Sequence, residues 1–306
     1  MTYHKILIAN TGEDSLTIID ESIYKTIFLS KLIEEKGDNW ISEGNRLGPY
    51  DIEIGEKDDV YIANSYDNSI MKIDLQNIKL LGIIKVGKNP TCIKKFRNKI
   101  YVANSDSNSI SIIDENTFSL IENISVGEKP TDIQIDEEGL KIFILNGNCY
   151  TINVLNLDTE KISSIILGNQ PVKMVIEDKR LFVLSYVNNG ISNYSNLSEL
   201  KAEDYGTIMS IDLKGIFGDF VKIKGEELFY LSNMEDGYIY KIFIGEEVSI
   251  SKIYLGGMPN NIKWDKQTKL YIANILDNKL TILDKSNNQI IDNIRVGKEP
   301  NGILLL

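Results

Sequence analysis

The nine residues VYIANSYDN (60–68) return forty positions later as IYVANSDSN (100–108). Shorter forms of the same phrase stand at KILIAN (5–10), IFILN (142–146), LFVLS (181–185), LFYLSN (228–233) and LYIAN (270–274), which makes seven copies. A unit repeated every forty or so residues is too small to bury its own apolar face. Its copies must share a core by packing on one another, and this narrows the folds open to the chain to arrays of equivalent units.

Each copy carries the same punctuation. A polar turn follows the phrase, as in YDNS (66–69), DSNS (106–109) and LDNK (276–279). A second alternating run then ends in Asp, at Asp20, Asp74, Asp114, Asp212 and Asp284. A third run reaches a Gly-x-x-Pro step, as in VGKNP (86–90), VGEKP (126–130) and VGKEP (296–300), and a fourth run follows the Pro. Four short strand-like runs per period, bounded by Gly, Pro, Asn and Asp, define a β-propeller blade. No helical period separates the runs, so a parallel α/β sheet is excluded, and the period is too long for a β-helix. Seven inner strands are expected, at 50–55, 91–96, 131–136, 172–177, 219–224, 260–265 and 302–306. The first copy starts at a second strand, and the last stops after a first strand. The expected fold is all-β: a seven-bladed β-propeller over residues 1–306 as one domain, its ring closed by the C-terminal strand 302–306 joining the N-terminal blade. Closure of this kind removes free sheet edges.

The segment 100–136 resembles the repeat of the YVTN family of β-propellers, through Tyr-Val-Ala-Asn at 101–104, Ser-Ile-Ser-Ile-Ile-Asp at 109–114 and Val-Gly-x-x-Pro at 126–130. Copies at 60–90 and 270–300 match nearly as well, and the resemblance spans almost the whole chain. It implies the propeller fold, of a WD40-like kind. The motif is structural, so it carries no catalytic residue with it.

The recurring Asn (Asn10, Asn64, Asn104, Asn146, Asn233, Asn274) sits where a strand enters a turn, and its side chain is expected to support that turn and to tolerate unusual φ. The recurring Asp is expected to do the same at the next turn. Dispersed at one per blade, these carboxylates do not converge as calcium requires, and no metal is expected. At the Gly-x-x-Pro step, Gly is expected to permit a tight turn and Pro to fix φ.

With 33 Lys and Arg against 44 Asp and Glu, the chain carries a net charge of −11, which disfavours nucleic acid. Cys92 and Cys149 lack metal-ligand spacing and are expected to be buried free thiols. His4 is the only histidine and lies outside the repeat, which argues against a His-based triad or zinc site. No phosphate loop is present, and two tryptophans are too few for a quinone-type propeller, so no cofactor and no catalytic residue is assigned. Trp264, on an inner strand, is expected in the core. No apolar run approaches a membrane span or a signal peptide. The expected address is the cytoplasm, with a non-classical surface location as the other.

Two stretches break the period, and departures of this kind are where function concentrates. The first is an insertion at 30–48, in which Ser30 and KLIEE suggest a short helix. The second, at 187–205, is expected to replace the turn between the second and third strands of blade five. Both would emerge on one face. Trp40, Arg46, Tyr50, Tyr194 and Tyr205 are the candidate partner-binding residues, of types enriched at interaction hot spots. Asp51, Asp132 and Asp219, with Asn261, would make an acidic channel mouth, and Lys173 falls at the equivalent position. Blade five leaves too little chain after Asp212 for a fourth strand. It is expected to have three strands unless residues 191–200 fold back, leaving 207–212 as an edge open to self-association. Two functions compete: a non-enzymatic scaffold presenting one decorated face to a protein or peptide, and a small-ligand-binding or lactonase-like hydrolytic propeller acting at the acidic channel mouth.

Overall fold

The computed structural model describes residues 5–20, 23–37, 40, 46–56, 58–188, 192–201 and 204–306. His4, residues 38–39 and 41–45 of the first insertion, and residues 189–191 and 202–203 of the second lie outside them. The strands form seven four-stranded antiparallel sheets, and the fold is a seven-bladed β-propeller. The chain divides into two compact units.

One unit comprises Thr2–Ile133 with Val296–Leu306. It holds blade one, in which the C-terminal strand Pro300–Leu305 lies beside Lys5–Asn10, followed by Ser15–Asp20 and Ile23–Phe28. Leu7 faces Leu304 and Ile8 faces Ile303 across that closing pair. Blades two (Pro49–Lys85) and three (Pro90–Ser125) complete it. The other unit, Gln134–Arg295, holds blades five (Gln170–Lys214), six (Phe217–Tyr254) and seven (Pro259–Arg295) and most of blade four (Pro130–Ile166), whose first strand crosses the boundary.

Burial falls from the second strand outward. The second strands, such as Lys99–Asn104 and Lys141–Asn146, are buried on both faces after their first residue. This is why the recurring phrase reads as a continuous apolar run rather than as clean alternation. The fourth strands are mostly exposed, as in Ser119–Ser125.

The repeated Asn earns its place through the residue paired with it. Asn104 stands opposite Ser109 and donates from Nδ2 to Ser109 Oγ (3.3 Å) and Ser111 Oγ (2.9 Å). Asn10 does the same with Ser15 and Thr17, Asn64 with Ser69, and Asn146 with Thr151 and Asn153. The left-handed φ lies elsewhere, at the second Asn of the phrase: Asn68 (55°), Asn108 (52°) and Asn278 (52°). Asn68 Oδ1 also accepts from Asn89 N, and Asn108 Oδ1 from Lys129 N, tying the turn to the Gly-x-x-Pro step.

The role expected of the Gly in that step is corrected. At Gly87, Gly127 and Gly297 its φ is not positive, and the left-handed residues are those before Pro, namely Asn89 (53°), Lys129 (56°) and Glu299 (51°); only in the shortened copy GGMPN (256–260) do Gly256 (74°) and Gly257 (56°) take positive φ. Gly is needed for space, because a Cβ on Gly87 would lie 2.5 Å from Asn104 Cγ, and one on Gly297 would lie 2.6 Å from Asn10 Cγ. Both neighbours are buried and hydrogen-bonded, so neither can withdraw cheaply. Gly87→Ala should therefore destabilise the protein by about 1–3 kcal/mol through overpacking. Lys88→Ala, on the exposed neighbour, should stay within about 0.5 kcal/mol in the same urea titration. Equal midpoints for the two variants would refute the steric account.

Blade five differs from expectation. Residues 193–200 form its third strand and Thr207–Lys214 its fourth, so the sheet has four strands. The expected exception had residues 191–200 supplying the edge; instead 193–200 lie inside the sheet, paired with both neighbours, and 207–214 form the edge, while the strands 180–188 and 193–200 are longer than most of their counterparts. Asp212 is consequently inside a fourth strand rather than at a turn, where it accepts from Asn196 Nδ2 (2.7 Å). Asp74, Asp114 and Asp284 do cap turns, accepting from the N–H groups of Asn77, Thr117 and Ser286. Cys92 is buried, whereas Cys149 is only half-buried, close to Thr151 Oγ1. Trp264 is half-buried, packs on the core, and donates from Nε1 to Gln267 O.

Candidate partner-binding surface

The first insertion begins with the expected helix, Leu29–Lys36, although its N-cap is Phe28 and Ser30 lies inside it. Gly37 ends it at φ 74°, where an L side chain would be strained. Leu29, Leu32 and Ile33 are buried against the core of this unit, and Leu47 joins them from the far end of the insertion. These apolar side chains seat the described part of the insertion. Among its described residues the exposed side chains are polar, from Lys31, Glu34, Glu35 and Lys36 to Arg46.

Trp40 packs on the same cluster and donates from Nε1 to Asp67 Oδ2 (2.7 Å). Lys85 Nζ bonds the other oxygen of Asp67 (2.8 Å) and sits 4.8 Å from the Trp40 ring centroid. Arg46 is exposed; it donates to Thr11 O (2.6 Å), and its guanidinium carbon lies 5.0 Å from the ring centroid of Tyr66. Tyr66 is 52% exposed. Gly48, at φ 66°, lets the chain pass that ring, since a Cβ there would fall 2.6 Å from it. Two cation–aromatic pairs therefore stand on adjacent residues of one turn, 66 and 67, each worth about 0.5–1 kcal/mol when exposed. Tyr50 is half-buried in the first strand of blade two, just past the insertion.

Asp51, Asp132 and Asp219 occupy the same position of their blades, two or so residues into the first strand, and bond to backbone or to neighbouring blades. Asp51 Oδ1 accepts from Ile52 N (3.0 Å) and Oδ2 from Ile93 N of blade three (3.0 Å). Asp219 repeats this in the other unit, with Phe220 N (2.8 Å) and Ile262 N of blade seven (3.1 Å). Complete burial raises the Asp219 pKa, against the pull of Lys173 and Lys263. Asp132 is fully buried, with Cys92 Sγ 3.6 Å from its Oδ1. Asp51 and Asp219 thus each stitch one blade to the next.

Tyr194 and Tyr205 do not share a loop. Tyr194 lies near the start of the third strand of blade five, opposite Val187 and Lys214. Tyr205 lies beyond the other end of that strand, edge-on to Phe143 at 6.2 Å. The reading of 187–205 as a single decoration on one face is corrected accordingly: a strand runs through it.

Sequence reasoning missed Tyr66, Asp67 and Lys85. Tyr66 was legible as the aromatic departure at a turn position held by Asp106 and Leu276 in two other copies. Lys85 was not, since it reaches Trp40 only through the fold. Among the described residues no group of three or more His, Cys, Asp and Glu side chains could hold a metal ion. No described helix is long and apolar enough to cross a membrane.

No protein-family model matches the chain, and no curated protein does either. Solved structures do. A putative 6-phosphogluconolactonase from Bacteroides fragilis is 14% identical, with a TM-score of 0.75 over 100% of this chain and 98% of that one. A functionally unknown protein from Desulfotomaculum acetoxidans is 11% identical, with a TM-score of 0.77 over 99% and 98%. Virginiamycin B lyase from Staphylococcus aureus is 18% identical, with a TM-score of 0.69 over 84% and 88%. At these identities the likeness establishes the shared propeller fold, which hosts enzymes and proteins of unknown role alike.

Proposed function

We propose that the chain is a non-enzymatic binding propeller that presents the surface built by residues 29–48 and the 65–68 turn to a protein or peptide partner. The observation that carries this reading is the pairing of Arg46 on Tyr66 and of Lys85 on Trp40, the second pair held by Asp67. Rigid aromatic anchors with an adjacent arginine are what interaction hot spots are made of. The outward cations fit a carboxylate-bearing segment of the partner. The YVTN resemblance and a cytoplasmic address belong to the same reading. The hydrolytic alternative at Asp51, Asp132 and Asp219 draws support from the named lactonase and lyase of the same fold. It is weakened by the backbone N–H groups that occupy both oxygens of Asp51 and of Asp219.

The test is quantitative capture from host-cell lysate on immobilised wild type, on Trp40→Ala and on Arg46→Ala/Tyr66→Ala, all with matched circular dichroism. Truncating a hot-spot side chain removes about 2 kcal/mol or more of binding. At least one protein should accordingly be retained by wild type and fall more than tenfold on the double variant. Identical retention on all three surfaces would overturn the proposal.

A further inference from the structure

A recess lies wholly within the Gln134–Arg295 unit and is lined by none of the residues of the proposed docking surface. It encloses about 220 Å³ between the first hairpin turns of blades four and five. Phe143 and Leu181 provide its apolar wall, and Tyr205 reaches it from the turn after the third strand of blade five. The Phe143 and Tyr205 rings meet edge to face, at 78°. The recess therefore has an apolar wall of two aromatic rings and Leu181, against which a planar ring can pack.

Three cations, Lys141, Lys179 and Arg180, and one carboxylate, Asp136, line the recess. Arg180 is spent on two carboxylates, Glu199 and Glu227, each held by two hydrogen bonds. Lys179 pairs with Glu138 at 3.5 Å, and Asp136 Oδ1 accepts from Gly139 N in its own turn. Lys141 alone lines the recess with no ion-pair or hydrogen-bond partner for its ammonium among the described residues. The Tyr205 hydroxyl is likewise without a described partner. The recess therefore offers an apolar wall, an ammonium and a phenol without described partners, and one carboxylate, Asp136, turned to Gly139 N. Its volume is below the ~300–1,000 Å³ of sites for drug-sized ligands, which limits the occupant to about a single ring with one substituent.

We infer that this recess is a binding site for a small aromatic carboxylate, its ring against Phe143 and Leu181 and its carboxylate on Lys141 and the Tyr205 hydroxyl. A carboxylate is preferred to its neutral amide because only the charged group answers an unpaired ammonium. The chain as a whole is acidic, so this affinity is local, and it should weaken as salt screens the exposed side of the recess.

Benzoate, benzamide and benzamidine are the probes, titrated into the full chain and followed by ligand-observed NMR and calorimetry. Benzoate should saturate, at least tenfold more tightly than benzamide, with benzamidine weaker still. Lys141→Met should erase the difference between acid and amide, and Tyr205→Ala should weaken both. Lys141 is a half-exposed strand residue, and Lys141→Gln serves as a second variant should the Met form fold poorly. Absence of saturable binding, equal affinities for acid and amide in wild type, or a benzoate affinity unmoved by either Lys141 variant overturns the assignment. None of these results bears on the 29–48 surface.

Discussion

A chain ending at Glu299 is expected to emerge aggregated, with no cooperative thermal transition. Residues 300–306 are the first strand of blade one, and nothing else in the sequence can replace them. Leu304 and Ile303 pair with Leu7 and Ile8, and Leu306 N donates to Lys5 O (2.9 Å). Asn301 Nδ2 reaches Thr11 Oγ1 (2.7 Å), and Gly302 approaches the backbone of blade two so closely that a Cβ would lie 2.7 Å from Tyr50 O. Truncation strips a ladder of backbone hydrogen bonds, each worth about 1 kcal/mol net. It also exposes apolar side chains worth about 1.5–3 kcal/mol apiece. The sum is comparable to the whole net stability of a domain, about 5–15 kcal/mol. The bared strand Lys5–Asn10 then becomes an open, apolar edge. Light scattering and a circular dichroism melt would decide it; a monomeric truncated chain with a melting midpoint near wild type would show that the closing strand is dispensable.

Lys222→Ala should cost about 3–5 kcal/mol, the penalty for breaking a buried ion pair and stranding its partner. The Lys222 side chain is 2% exposed. Its ammonium bonds Glu177 and, at 2.9 Å, Glu226 O, and lies 5.4 Å from the centroid of Phe182. Arg180 stacks on the same ring and carries Glu199 and Glu227. Two cations thus serve three carboxylates, and removing one cation leaves Glu177 with no near countercharge. Glu177→Gln added to Lys222→Ala should recover part of the loss, because the stranded group is then neutral. Arg180 and Lys222 hold the Glu227 carboxyl below its usual range. Its contribution is therefore present above the ordinary glutamate pKa and fades as pH falls through the depressed folded value. Wild type should lose this increment on acidification, and the double variant should lose less. Urea titrations at neutral and acidic pH test both statements. A change below about 1 kcal/mol for Lys222→Ala at neutral pH would mean that the cluster is decorative.

Both predictions concern features with unequal visibility in the sequence. The strand closing blade one was legible because a repeat that starts at its second strand and ends at its first has one consistent completion. The charge cluster was not, because Arg180 and Glu199 come from one hairpin and Lys222 and Glu227 from another, with no spacing rule relating the two. The reading of blade five erred for a related reason. Asp212 looked like a third-strand terminus by its motif, but the strand 193–200 carries no motif and took that place by pairing along its length with 180–188. Of the candidate surface, Trp40 and Arg46 were found as departures from the period. The partners of Trp40, Lys85 and Asp67, could only be found by distance.

The fold class follows from local chemistry that recurs every forty or so residues. An Asn bonds the Ser across its hairpin, a second Asn adopts left-handed φ, and a Gly makes room for the first. These interactions span a few residues and are written in consecutive letters, so they survive being read in one dimension. The placement of charge does not. Whether a carboxylate faces solvent, caps a turn or stitches two blades depends on which backbone N–H the packed chain brings to it. Asp74 and Asp219 sit in equally plain sequence, yet one caps an exposed turn and the other is buried between blades. Only tertiary packing separates them, because burial and electrostatic neighbours are set by residues tens of positions away.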